Sequence, residues 1–374
     1  MYRMTKLLII ILMVFYLFTL TGCWGERTII DQTLVTSFGI DYKDNQYIVT
    51  IQALNFSNIA KQESGALQVP APPLIGQATG KSIQSAFTKL ESKSPIPLYF
   101  GHVNSVILSK SVIEKKMKDV NSFISGRPLL RYTMWYYGTE LEIKDILLSQ
   151  SFFNLPFLYT VVNNPAEKSR GSLILLSKQF HDFISRYTQP VGTVLIPSLD
   201  IEDKNFNEQK EDKIAYIDGA YVISQQKYKG QVKLKDIKSL DYLQQKNYSL
   251  PLILEKDKLN IEIRSSNGSV KVIKGGKKPK YIINIKTNVA IVQNENNLSR
   301  NKIAFKIRNK MKKEIIKTMK KGEELHADLL NISEKPYRFN RKEWDLRALN
   351  DVDTNSIKDI KVNVHIIGSK VYKR

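Results

Sequence analysis

One thiol, one glycine-rich string and one row of lysines are the features of this 374-residue chain whose types and spacing could do chemistry. Cys23 is the single cysteine, and it follows Leu20, Thr21 and Gly22. An aliphatic residue, two small ones and Cys form a bacterial lipobox. Small side chains let a signal peptidase bind the backbone closely, and a thiol can take a diacylglyceryl group as a thioether. Cleavage before Cys23 would leave that residue as an acylated N-terminus, carrying covalent diacylglyceryl and N-acyl lipid; no other cofactor is expected. The string Gly76-Gln77-Ala78-Thr79-Gly80-Lys81-Ser82 looks like a phosphate-binding loop, but it is one residue short between its glycines. A Pro-rich stretch stands upstream instead of a buried strand, so no nucleotide is expected. His102, His181, His326 and His365 are scattered, with no His or Cys at metal-ligand spacing. No G-x-S-x-G elbow occurs. Glu323-Glu324 and Asp351/Asp353 fall beside Gly or in polar loops and read as solvated caps. These residues specify neither catalysis nor a metal site.

The elements around Cys23 must deliver it to a membrane. Arg3 and Lys6 form a short positive start, and residues 7–20 are an apolar run broken by one Thr. A spanning helix needs roughly 20 apolar residues. The run is shorter and is followed by small residues, as in a signal peptide. Residues 1–22 are therefore expected to be a leader, and the mature chain to lie outside the cytoplasm, tethered to the outer leaflet. Two acyl chains satisfy the two-signal rule for stable anchoring. With one Cys there is no internal disulfide, so stability must come from packing.

Apolar content of 42% and 25% charged residues describe ordinary globular material; a net charge of +21 does not. Residues 251–374 hold 29 Lys and Arg against 14 Asp and Glu, so most of the excess lies there. Such charge could argue for nucleic acid, but export argues against it. A tethered protein instead lies close to anionic lipid, where each Lys contributes about 1 kcal/mol. A Lys-rich solvated face, typical of an Asn-, Lys- and Ile-rich composition, is the plainer reading of the same residues.

Residues 35–42 and 47–56 read as a hairpin around the polar turn Lys43-Asp44-Asn45-Gln46. Residues 62–76 read as a loop. Helical spacing is predicted at Ile83, Ala86, Phe87 and Leu90, again across 112–124, over 141–148, and as a longer helix over 172–187. Strands are predicted near 103–108 and 132–138, an alternation that suggests a sheet with packed helices. The polar stretch 200–212 is taken as a boundary, dividing the mature chain into 23–205 and 206–374. Beyond it several strand-like runs precede a change of period. Ile303, Ile307, Met311, Ile315 and Met319 repeat every four residues, while Lys302, Lys306, Lys310, Lys313, Lys317 and Lys320 line another face. This predicts a long amphipathic helix over 299–321, ending near Gly322, whose lysines could contact membrane or partner. A strand, "IKVNVHIIG", follows. The fold class expected is α+β, multi-domain, with mixed sheets, packed helices and a long amphipathic helix in the C-terminal domain.

Four strings in one order, "GCWGERTIIDQTLVTSFGID", "ATGKSIQSAFTKLESKSPIPLYFGHVNSVILSKSV", "AYVISQQKYKGQVKLKDIKSLDYL" and "HADLLNISEKPYRFNRKEWD", resemble the Ger(x)C family. These are the lipoprotein C-subunits of nutrient germinant receptors in endospore-forming bacteria. The Gly-Cys-Trp start, the Tyr99 to His102 stretch and the segment around Ala327 and Trp344 carry the likeness most specifically. A Phe-Gly pair usual in the family is Leu330-Asn331 here. The resemblance implies a non-enzymatic subunit on the outer face of the spore inner membrane. Its implied partners are two integral-membrane receptor subunits, A- and B-type, and membrane lipid, with no nucleotide or nucleic acid. It also implies an α+β arrangement of compact units. A substrate-binding lipoprotein handing a nutrient to a transporter is the main alternative; it would need a ligand pocket between two lobes. A cell-wall hydrolase would need catalytic residues that the sequence does not offer.

Overall fold

The computed structural model describes residues 4–6, 13, 32–55, 72–153, 155–165, 178–204, 213–243 and 246–369. Leu20, Thr21, Gly22 and Cys23 lie outside the described residues, as does most of 62–76.

The predicted hairpin forms, with β1 (Thr33–Lys43) and β2 (Gln46–Asn55) paired antiparallel in register from Lys43 opposite Gln46. Asp44 and Asn45 both have positive φ, 49° and 59°. That is the signature of a tight turn whose twist matches the strands, and Asp and Asn tolerate it. The other strands of this first sheet are β3 (Leu74–Gly80), β4 (Leu98–Tyr99), β5 (Ser105–Ser109), β6 (Trp135–Thr139), β7 (Thr193–Glu202), β8 (Ile214–Ser224) and β9 (Lys227–Lys233). Their order is β3-β2-β1-β5-β6-β7-β8-β9, with β4 beside β1. The centre, β1-β5-β6-β7, is parallel, and antiparallel hairpins flank it. Parallel neighbours need crossovers, which carry α1 (Ile83–Lys93), α2 (Lys110–Lys115), α3 (Met117–Ser125), α4 (Ile143–Leu147) and α5 (Phe180–Tyr187).

Alternation along the strands sends side chains to two cores. Phe38, Leu108, Tyr136 and Tyr221 meet α1, α2, α3 and α5 on one face; Ile107, Tyr137 and Leu199 meet α4 on the other. Phe38 lies edge-on to Phe87 at 5.3 Å, and Tyr136 stacks on Phe183 at 4.7 Å.

The chain continues through α6 (Leu234–Ile237) and α7 (Leu240–Leu243) into a second sheet of β10 (Lys246–Leu254), β11 (Leu259–Ile273), β12 (Lys280–Asn294) and β13 (Ile357–Ser369). β12 and β13 are parallel. Their crossover holds α8 (Arg300–Glu324), α9 (Glu334–Phe339) and α10 (Leu346–Asn350). α8 is about 37 Å long at 1.5 Å per residue. Its predicted apolar row is buried, with Ile303, Ile307, Met311 and Ile315 fully so. Each such side chain contributes about 1.5–3 kcal/mol.

Several boundaries differ from the sequence reading. Residues 74–76, read as loop, begin β3 as an edge strand on β2. The helix over 112–124 is two helices, because Lys116 leaves helical geometry at φ −130°. In the described part of 172–187 the helix begins at Phe180, since Gln179 bridges to Trp135. α8 runs two residues past Gly322. That glycine admits the returning chain: a Cβ there would lie 2.5 Å from the Ala327 carbonyl oxygen. β7 and β10 went unread, each containing a proline, Pro197 and Pro251. Both prolines sit where the missing N–H costs nothing, since β7 joins β6 only from Ser198 and β10 is an edge strand. The division at 205 falls between β7 and β8, which pair from Thr193 opposite Ser224 to Glu202 opposite Ile214. The first sheet therefore holds strands from both sides of it. β8 also serves both cores: Tyr221 and Ile223 face the first, Ala220 and Val222 the second.

Candidate functional site

α8 presents the lysine face, and tertiary contacts divide it. Lys306 pairs with Asp257 at 2.7 Å, Lys310 with Glu314 at 3.3 Å and Lys317 with Asp236 at 2.9 Å. Those three charges are neutralised by the fold. Lys302, Lys313 and Lys320 are exposed and make no ion pair with a described residue. Separated by 11 and 7 residues, they fall on one line of the helix to within about 20°. Phe305, 59% exposed, and Ile316, 43% exposed, stand close to that line. The sequence row is thus two rows, one ion-paired, with Lys306 and Lys317 reaching other elements and Lys310 pairing within the helix, and one that faces outward with two apolar side chains beside it.

The inward row has a clear anchor. The Thr318 hydroxyl donates to the Asp236 carbonyl at 2.6 Å and accepts from Ser239 at 2.7 Å, tying the α6–α7 turn to the helix. Tyr242 bonds Glu314. Between α8 and β10 lies a groove of about 780 Å³ lined by Leu252, Ile253, Phe305, Lys310 and Lys313, with Asp241 among its walls. Burial pushes the Asp241 carboxyl up to about 7, because a charged carboxylate loses its hydration there.

A second constellation joins the two sheets. The Thr193 N–H donates to Asn331 Oδ1 at 2.6 Å, and Asn331 Nδ2 donates to the Thr193 carbonyl at 3.0 Å. Asn331 holds φ 52°, a left-handed conformation that Asn and Gly adopt most readily. Arg186 pairs with Glu334 at 2.7 Å, and Asn350 Nδ2 donates to the Pro190 carbonyl at 2.9 Å. Val191 packs with Trp344 and Leu349. Below this clamp Asp328 is buried and accepts from the Ser333 N–H at 2.8 Å and its hydroxyl at 2.6 Å. Burial raises its pKa, and the Ser333 bonds oppose that shift. Sequence reasoning singled out Ala327 to Trp344 as a family signature without a role. Its structural content is the joint between the sheets.

The nucleotide-like string is a strand and a cap. Gly76 and Gly80 belong to β3, paired to β2, and the Ser82 hydroxyl caps α1 in a box with Ser85. A phosphate cradle needs backbone N–H groups turned into a loop; this backbone is extended. Asp353 does act as a cap, on the short turn 354–356. Glu323 accepts from the Thr354 hydroxyl at 3.2 Å and Asp351 pairs with Lys278. Among the described residues no group of three or more His, Cys, Asp or Glu could hold a metal ion. No helix among them is long and apolar enough to cross a membrane. A cleft of about 710 Å³ lies between the β8–β9 turn and α10, near Gln189, Gln225 and Arg347.

Comparison with known proteins identifies the chain. Residues 25–201 match the spore germination protein N-terminal domain, and residues 218–370 match the spore germination B3/GerAC-like C-terminal domain. The chain belongs to the Ger(x)C family of spore germination proteins. Spore germination protein KC of Bacillus subtilis (strain 168) is 29% identical over 116 residues, 30% of this chain and 28% of that protein. Putative spore germination protein YfkR of the same organism is 21% identical over 345 residues, 87% of this chain and 88% of that one. The crystal structure of the GerBC protein superposes with a TM-score of 0.53 at 17% identity, covering 88% of this chain and 96% of that chain. The Ger(x)C protein described here therefore shares that α+β fold.

Proposed function

We propose that this protein is the C-subunit of a nutrient germinant receptor, without catalytic activity, and that it works by holding and coupling its partners. The observation that carries the proposal is the paired match of both spore germination domains, in order, over residues 25–201 and 218–370. Lipid on Cys23 anchors it to the outer face of the spore inner membrane, beside A- and B-type integral-membrane subunits. No nucleotide, metal or nucleic acid takes part. The outward lysines Lys302, Lys313 and Lys320 supply cationic contacts to a partner or to lipid headgroups, while Lys306 and Lys317 hold α8 in place and Lys310 pairs within it. The clamp at Asn331 and Trp344 makes the two sheets move together, so a force on one reaches the other.

Cys23→Ala in the native strain tests this reading. The expected result is loss of the protein from the membrane fraction together with a fall in nutrient germination. Normal germination by cells in which the protein stays membrane-bound would overturn the anchor. Retained germination in a strain lacking the protein altogether, with its own receptor the sole one present, would overturn the receptor role.

A further inference from the structure

Residues 146–166 form the longest run without a charged residue in the chain, 21 positions in a sequence that is 25% charged. Its described residues, 146–153 and 155–165, cover the face of the first sheet opposite α1, α2, α3 and α5, and buried polar bonds fix both ends. Gln52 Nε2 donates to the Leu147 carbonyl at 2.5 Å. Asn163 accepts from the Ser37 hydroxyl at 2.9 Å and donates to Gln52 Oε1 at 3.2 Å, and the Tyr137 hydroxyl donates to the Val161 carbonyl at 3.0 Å. Ser37, Gln52 and Asn163 are all buried.

Between these fixed ends Phe157 is buried, but four other apolar side chains point out. Phe153 is 81% exposed, and Leu148, Leu155 and Tyr159 are each between 41% and 45% exposed. Phe153 also holds φ 57°, a left-handed conformation that is rare for a bulky residue. The Gln150 N–H on the Lys213 carbonyl at 2.9 Å and the Leu155 N–H on the Phe152 carbonyl at 3.1 Å frame the projection. A soluble surface normally hides such residues or intersperses them with charge; this run carries none of its own.

We infer that the 148–159 projection is a membrane-insertion loop, which seats Phe153, Leu155 and Tyr159 in the headgroup and acyl boundary of the bilayer. Three observations favour lipid over a protein partner. The run carries no charge with which to select a complementary protein surface. Its four exposed side chains offer on the order of 400 Å², about half of the roughly 800 Å² a side that a stable protein interface buries. The loop also sits near the point where the tether enters the fold, because Asn163 is bonded to Ser37, four residues into β1. Ten residues from Cys23 to Thr33 reach at most about 35 Å. Phe and Leu in the boundary, with Tyr at headgroup level, match how amphipathic rings and aliphatic groups distribute there.

The inference rests on the anchor reading for its proximity argument, so its test reads tether and loop separately. Mature lipidated chain carrying Phe153→Trp is reconstituted into phosphatidylglycerol/phosphatidylethanolamine vesicles, and the emission it adds over the parent is recorded with and without brominated acyl chains. The expected result is a blue-shifted emission that falls by about twofold with bromines near the headgroup and less with bromines at the chain ends. Tyr159→Trp provides the same reading should Phe153→Trp fold poorly. Emission that stays unshifted and unquenched would overturn the inference. So would a shift that appears only with the membrane subunits present and is insensitive to bromine, because the occupant would then be protein. Flotation of the Cys23→Ala chain with the same vesicles reports the tether alone. Flotation as complete as that of the lipidated chain, with quenching of the Phe153→Trp chain retained, would sink the anchor and leave the loop standing.

Discussion

The two sheets are stabilised differently. β1, at the centre of the first, is buried at eight consecutive positions, Thr33 to Ile40, because helices or packed loop cover both faces. β12, at the centre of the second, largely alternates: Tyr281, Ile283 and Ile285 are buried, and the residues between them are partly exposed. The second sheet has one well-covered face, under α8, and another open to solvent. A strand sealed on both sides has little freedom to shift, whereas a one-sided sheet owes its position to one long helix and to the clamp. The first sheet is thus suited to be a rigid platform, and the second, held to it by the clamp, to pass a partner's force to that platform.

The largest effect that could break this contrast is expected at the sealed face. Phe38→Ala should cost about 3–5 kcal/mol, seen as a lower urea midpoint; a loss under 1 kcal/mol would mean that the two-sided core is looser than its geometry implies. The next largest is expected at Asp241, which flanks α8. A folded-state pKa of about 7, above the ordinary value near 4, means that the folded chain holds the proton longer. The stability from that group is full below about pH 4 and is lost as pH rises through 7. Asp241→Asn should therefore gain about 2–3 kcal/mol on the parent between pH 5 and pH 8, measured by urea unfolding at both values. A constant difference would remove Asp241 as the cause. Asn331→Ala leaves the Thr193 N–H and carbonyl without their partners, at about 1–3 kcal/mol. It should also speed amide exchange along β7 before it does so along β1. The smallest effect separates the two lysine rows. Replacing Lys306 and Lys317 with Gln should cost up to about 1 kcal/mol per pair. The same change at Lys302, Lys313 and Lys320 should leave the melting midpoint alone and lower receptor recovery, and the reverse pattern would exchange their roles.

Legibility followed the range of the interaction. The hairpin could be read because Asp44 and Asn45 encode its turn locally, and α8 because its apolar residues recur at its own period. β3 was misread because Gly76, Gly80 and the prolines before them are local breakers, and the pairing with β2 that overrides them is set elsewhere in the chain. Within the candidate site the six lysines look alike in sequence. Three are distinguished only by Asp236, Asp257 and Glu314, of which the first two lie in other elements. The Asn331 clamp had no signal beyond family likeness, because its partner is the backbone of Thr193.

The sequence by itself determined what depends on neighbours along the chain: a lone cysteine after Leu20, Thr21 and Gly22, the hairpin turn, the period of α8 and the ordered strings of a spore germination family. Tertiary structure decided that one sheet crosses the polar divide near 205, that β8 feeds two cores, which lysines face outward and where an uncharged run projects its rings. The physical reason is that propensity and period act over a few residues, whereas ion pairing, strand pairing and burial are settled only when distant segments meet.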